Sequence, residues 1–363
     1  MADDRALDRR SAVVDANCVN VKHRVKYFWL NFHLPYACRH SGLCCTSGWP
    51  IPVEHARVTA IEESIARDII PLYVPHGARA GNAAPWLVTG PNLPEDVAGT
   101  LALRDNAHCV FFEAGRPGCA IHGVKPASCA HFPFLCLFDQ RGVHVTLSHY
   151  CPTSTALLFE HTGPIAIVEG PSPLADVTML EGLDASEALP PAVAVDKPTS
   201  AKATVGKPRL MSWDEVSEWE RDQVLNAKID ELQNDDVALF DRARASVPAP
   251  LSWPEAPDNL ESIWFAMVAP AWPHFEDVLS RYAAAKAFAS WSLYLGEGVE
   301  AAAETARIAA AVLRVECARQ CRVFGRPLDR ELLSNAIEQS DLLLVHYADP
   351  ETLATSSTDR PRD

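Results

Sequence analysis

Eight of the eleven cysteines in this chain of 363 residues fall in one stretch: Cys38, Cys44, Cys45, Cys109, Cys119, Cys129, Cys136 and Cys151. This stretch constrains the fold more than any apolar pattern does. Thiols at short spacing converge on one another, on a metal or on a shared core, and each outcome folds the chain around them. An odd total fits poorly with a closed disulfide framework. No other part of the chain carries a comparable density of reactive side chains, so any chemistry is expected here.

The redox compartment decides how to read the thiols. Residues 1–10 are charged and lack an apolar core, unlike a secretory signal. The longest apolar run, residues 263–269, is broken by Pro270 and is too short to cross a bilayer. The expectation is a soluble, cytoplasmic protein. Thiols stay reduced in that compartment, where clustered cysteines serve as metal ligands or catalytic groups. A net charge of −15, from 47 acidic and 32 basic residues, argues against nucleic acid or an anionic membrane as partner, because both are held by basic patches.

The length suits two domains, and the pattern along the chain divides it. Residues 1–22 are polar and charged and read as a disordered tail. Residues 23–160 read as a cysteine-cluster domain. It opens on an aromatic segment (Tyr27, Phe28, Trp29, Phe32, Tyr36) expected to be buried. Val58, Ile61, Ile65 and Ile69 at helical spacing predict a helix over 53–70, stopped by Pro71. Residues 71–98, rich in Pro, Gly and Ala, read as loop. Short apolar runs at 101–103, 110–112 and 120–121 read as strands, with a turn over 115–118. A second hairpin pairs 134–138 with 143–147, where Val143, Val145 and Leu147 alternate with His144 and Thr146 as in a half-buried strand. Single helical turns are expected at 126–132 and 153–160.

Residues 161–210 carry seven prolines and no sustained period, and read as a connector. Residues 211–348 read as a helical bundle. Ser212 is a cap with Asp214 and Glu215 in the first turn, and further helices are expected over 259–268, 274–295, 299–324 and 329–347. Residues 349–363 read as a flexible tail. The fold class is therefore mainly α (α+β), a cysteine-rich domain with small antiparallel hairpins followed by a C-terminal bundle.

Not every cysteine is a candidate ligand. Cys18 reads as a tail thiol, and Cys136 sits within the apolar run Phe134-Leu-Cys-Leu-Phe138 and reads as packing. Cys317 and Cys321, four apart on a predicted helix, read as a core stripe. The metal- and cofactor-binding candidates are Cys38, Cys44, Cys45, Cys109, Cys119, Cys129 and Cys151. His40, His108, His122, His131 and His149 stand beside or near cysteines, but such histidines are more often exposed or packed. Lys125 and Arg116 offer positive charge near the thiolates. Asp341, Glu338 and Glu331 read as a solvated helix face.

The segment Cys119-Ala-Ile-His-Gly-Val-Lys-Pro-Ala-Ser-Cys129-Ala-His-Phe-Pro resembles a zinc- or iron-chelating cysteine-cluster family, with Lys125 where arginine is usual. The earlier segment Cys38-Arg-His-Ser-Gly-Leu-Cys44-Cys45 is similar to the family's opening motif, with Ser41 where that motif often has a second cysteine. The resemblance spans roughly residues 36–155. It includes flagellin lysine N-methylase-like proteins, and so implies an iron–sulfur cluster, a methyltransferase acting on protein lysine and a flagellin-like protein substrate.

Seven sulfurs exceed the four of one tetrahedral zinc, and the adjacent Cys44 and Cys45 aim awkwardly at a single ion. An iron–sulfur cluster, 4Fe–4S, spreads four cysteines over a larger surface and is the favoured cofactor, with zinc the alternative. Three functions stand open: an iron–sulfur enzyme acting on lysine, a non-catalytic module stapled by zinc or iron, and a redox sensor or electron carrier. The sequence shows no glycine-rich dinucleotide loop, P-loop, nucleophile elbow or zinc-protease helix. No catalytic residue and no oligomeric state is legible.

Overall fold

The computed structural model describes residues 25–71, 84–91, 93–113, 118–193 and 208–355. The expected N-terminal tail with Cys18, the turn residues 115–117 with Arg116, and residues 356–363 lie outside them. The fold is mixed α+β. The chain forms two compact units. The larger takes the described residues up to Tyr36, Pro133–Pro173 and those from Glu181 onward; the smaller is Ala37–Phe132 with Leu174–Leu180. The six candidate cysteines from Cys38 to Cys129 fall in the smaller unit, whereas Cys136 and Cys151 fall in the larger.

Strand β1 (Tyr27–Leu30) opens the larger unit. The smaller unit then follows with α1 (Leu43–Thr46), β2 (Pro52–Glu54), α2 (His55–Ala66), β3 (Leu87–Val88), β4 (Val97–Leu101) and α3 (Ala127–His131). Its three strands form an antiparallel sheet in the order β2-β4-β3. The core is small: ten buried residues, among them Val53, Ile61, Trp86, Phe111, Ile121 and Cys109. Helix α2 buries Ile61, and Val58 and Ile65 pack beside it, as their spacing predicts. The last member of that stripe departs. Asp68 takes φ 56°, the helix ends at Ala66, and the reversal leaves Ile69 65% exposed while Ile70 is buried. The strands expected at 110–112 and 120–121 reduce to isolated bridges, Leu103 with Cys109 and Phe112 with Cys119. The chain folds there as tight turns, which bury Val110 and Phe111 without a ladder.

The chain re-enters the larger unit with the hairpin of β5 (Phe134–Asp139) and β6 (Gly142–Leu147), where the alternation placed it. The hairpin is not half-buried: His144 and Thr146 on the polar side are 3% and 6% exposed. The connector also holds more order than its prolines suggest. After α4 (Pro152–Glu160) it supplies β7 (Ile167–Gly170), β8 (Gly182–Asp184) and β9 (Ala192–Val193), the last paired with β10 (Arg209–Leu210). The central sheet runs β7-β1-β6-β5-β8, with β1 parallel to β6 and β8 parallel to β5.

Helices follow: α5 (Trp213–Leu225), α6 (Asp236–Ala245), α7 (Leu260–Ile263), α8 (Glu276–Ala287), α9 (Ser292–Leu295), α10 (Val299–Phe324), α11 (Arg330–Asp341) and α12 (Pro350–Thr355). Ser212 caps α5 in a capping box with Glu215. Helix α10 packs against α6, α8 and α11 and buries Ile308, Val312, Val315, Cys317 and Cys321. Two of the expected helices end in π turns, Trp264–Val268 and Leu342–Tyr347, and α6 and α12 add to those expected. Asp341 corrects the solvated-face reading: it is fully buried on α11 and paired with Lys286 at 2.5 Å. Among the described residues no helix is long and apolar enough to cross a membrane.

Candidate metal centre

Four short segments carry the sulfurs of the smaller unit. The first turns on Gly42, whose φ of 82° suits glycine, and a Cβ there would lie 2.3 Å from the Phe112 ring. That close approach lays the Cys44–Cys45 turn on the Cys109–Phe112 turn. The Cys109 N–H donates to the Cys45 carbonyl at 2.7 Å and locks the two together. The second and third segments repeat one device. The N–H of Phe111 donates to the Cys109 sulfur, and the N–H of Ile121 to the Cys119 sulfur, each from two residues downstream. Such donors favour thiolate over thiol. The fourth segment is α3, which carries Cys129. Its first N–H, at Ala127, donates to Glu54 at 3.0 Å, tying this short helix to β2.

Cys45 stands at the centre. Its sulfur is 3.9 Å from that of Cys44, and it hydrogen-bonds to both Cys44 and Cys119. Those two contacts raise the Cys45 thiol far above the usual range, while Cys44 is drawn down by its contact with Cys45. Cys119 is drawn down to about 7, first by its bond to Cys45, with help from the Ile121 N–H and Lys125. Burial pushes Cys109 up to about 11 and Cys129 higher still, and both feel the negative charge of Cys119 and Cys44. Five cysteines, Cys44, Cys45, Cys109, Cys119 and Cys129, thus form one electrostatic set. Lys125 draws Cys44, Cys119 and Cys129 down, in the role its position suggested.

Cys38 lies in a different company. Its sulfur and a ring nitrogen from each of His40 and His122 all lie within 4.8 Å of one another, and the two rings are 4.5 Å apart. Sequence alone reads both histidines as exposed or packed. The signal for His40 was its place beside Ser41, where the resembled motif has a cysteine. Nothing local joins His40 to His122, 82 positions on.

The other candidates go elsewhere. Cys151 occupies the position just before α4 in the larger unit, buried, with the Tyr36 hydroxyl 3.8 Å from its sulfur. Cys136 is fully buried in β5, where burial alone pushes its thiol up to about 12, as packing requires. His149 belongs to a buried network in the larger unit. It lies 3.1 Å from His33, and its N–H donates to Asp341 at 2.6 Å. Asp341 also accepts from the Tyr282 hydroxyl at 3.0 Å. Sequence reasoning missed His33, Tyr282 and Lys286 here, because the partners come from the turn after β1, the segment between β6 and α4, and helices α8 and α11, with no shared local pattern.

The donor set of the five thiols fits a soft metal centre: thiolates with backbone N–H donors and one nearby cation suit iron–sulfur or zinc. No family model, no curated protein and no solved structure matches this chain.

Proposed function

We propose that the smaller unit is a cysteine-ligated metal-binding module whose cofactor is an iron–sulfur cluster held by four of Cys44, Cys45, Cys109, Cys119 and Cys129. The observation that carries this reading is the set of five sulfurs from four separate segments, bonded to one another or sensing one another's charge. Cys109 is buried and the other four are half-buried, and thiols so placed against one another gain little as a core, since apolar groups of similar size would pack as well without the polar cost. Four soft donors at such a site are what a cluster requires, and a fifth thiol exceeds what one tetrahedral zinc takes. When bound, the cluster would supply redox or Lewis-acid chemistry. The chain's own part is to hold deprotonated sulfurs, through the N–H groups of Phe111 and Ile121 and the charge of Lys125.

The test is elemental. Protein purified without oxygen should contain iron and acid-labile sulfide in similar amounts and be coloured. Cys45→Ser and Cys119→Ser should lower both together. A colourless protein holding one zinc and no sulfide would overturn the cluster.

A further inference from the structure

We propose that Cys38, His40 and His122 form a second metal site, distinct from the five-thiol set, which takes a borderline-soft divalent ion such as Zn²⁺ through one sulfur and two imidazole nitrogens. This goes beyond the iron–sulfur reading and does not rest on it.

The grouping is the first support. Among the described residues it is the one set of three or more Cys, His or carboxylate donors whose ligand atoms all lie within 4.8 Å. Tetrahedral zinc, with bonds of about 2.0–2.3 Å, sets its donors about 3.3–3.6 Å apart. Side-chain movement of about 1 Å closes the set. Three protein donors leave one tetrahedral position for water or an exogenous ligand.

The backbone is the second support. His40 holds φ 57°, a left-handed conformation uncommon outside glycine and one that histidine adopts more readily than most side chains. Such positions cost about 1–3 kcal/mol and cluster at ligand-holding sites. Gly118 helps keep it there: a Cβ at 118 would lie 2.9 Å from the His40 Cβ and 3.1 Å from its carbonyl oxygen. The absent side chain lets the turn leading to His122 press directly on the His40 backbone, and so brings the two rings together, tilted by 56°.

The experiment uses the full chain purified without oxygen, equilibrated with slight excess Zn²⁺, desalted and analysed for zinc, iron and sulfide. The wild type should retain one zinc that Cys38→Ser, His40→Asn and His122→Gln each lose, with iron and sulfide unchanged. Asparagine is chosen at 40 because it tolerates left-handed backbone. Gly118→Ala removes no ligand and should lose the same zinc, by displacing His40. Co²⁺ in place of Zn²⁺ should give tetrahedral absorption bands in the wild type and none in His122→Gln. A wild type that retains no zinc would overturn the proposal, as would variants that keep it or that lose iron and sulfide along with it. A protein without iron or sulfide that still loses zinc on His40→Asn and His122→Gln supports this site and sinks the cluster reading instead.

Discussion

Buried polar groups in the two units are finished in opposite ways. In the larger unit the buried carboxylates Asp139, Asp236 and Asp341 are answered by partners of complementary chemistry. Asp139 takes Arg141 at 2.7 Å, His144 at 3.2 Å and the Tyr294 hydroxyl at 2.9 Å. Asp341 takes Lys286, Tyr282 and the His149 N–H. Asp236 on α6 receives two bonds from Arg314 on α10. In the smaller unit Cys45 is answered by two other thiols, and Cys38 faces two imidazoles. A carboxylate already paired with a buried cation and hydrogen-bond donors has most of its lone pairs committed. Thiols that bond to one another give up theirs to any soft cation that displaces their protons. The apolar cores differ in the same sense. The larger unit is built round one continuous cluster reaching from Leu30 to Leu353, the smaller round ten residues, one of them Cys109.

The comparison breaks most sharply at Asp341. Asp341→Ala leaves the Lys286 ammonium buried without its carboxylate, at a cost of about 3–5 kcal/mol. Chemical denaturation should show that loss while the metal content of the protein stays unchanged. Acid should act on the same unit in two stages. Burial lowers His33 and His149, so their stability contribution is present at neutral pH and falls as pH drops below about 6.5, where unfolded histidines take up protons. Asp139 and Asp341 lie well below the usual carboxylate range, held by His144 and Arg141 and by Lys286 and His149. Their contribution is present above about pH 4 and is lost below it. A stability profile flat from pH 7 to pH 4 would contradict this.

Gly42→Ala strikes the other unit. A left-handed alanine costs about 1–2 kcal/mol before its contact with Phe112 is counted. Bound metal should fall while the larger unit melts as before. Ser212→Ala returns to the larger unit as a control of modest size. It removes the capping box of α5 and should cost about 1 kcal/mol, with no effect on metal. The finest distinction is kinetic. In metal-free protein at pH 8, alkylation followed by peptide mass analysis should label Cys119, drawn down to about 7, before Cys109, pushed up to about 11. The reverse order would contradict the assigned thiolate.

How much of this was legible in the sequence follows from the range of the forces involved. Helix α10 is legible end to end because Gly298 and Gly325, both at φ 64°, punctuate it. The β5–β6 hairpin is legible because its pairing is local, and α5 because Ser212 and Glu215 signal a cap. Strands β7 and β8 are not. Each has four residues or fewer and pairs with β1 or β5, far away in the chain, so no local period records them. Asp341 reads as surface because only its distant partners, Lys286 and Tyr282, make burial tolerable. At the candidate site, spacing singles out the sulfurs one by one. It does not give their division: Cys151 goes to the larger unit, and Cys38 joins two histidines instead of the other thiols. Spacing reports which donors are near in sequence, and turns such as those at Gly42 and Gly118 decide which meet.

The most direct test of the contrast is amide hydrogen exchange on the whole protein before and after metal removal by a chelator under anaerobic conditions. Exchange should accelerate across residues 37–71 and 93–132, most of all around Cys44–Cys45 and Cys109–Cys119, while residues 208–355 keep their protection. Unchanged exchange around those cysteines after the metal is gone, or equal acceleration in both units, would contradict a smaller unit held by metal and a larger one held by its own core.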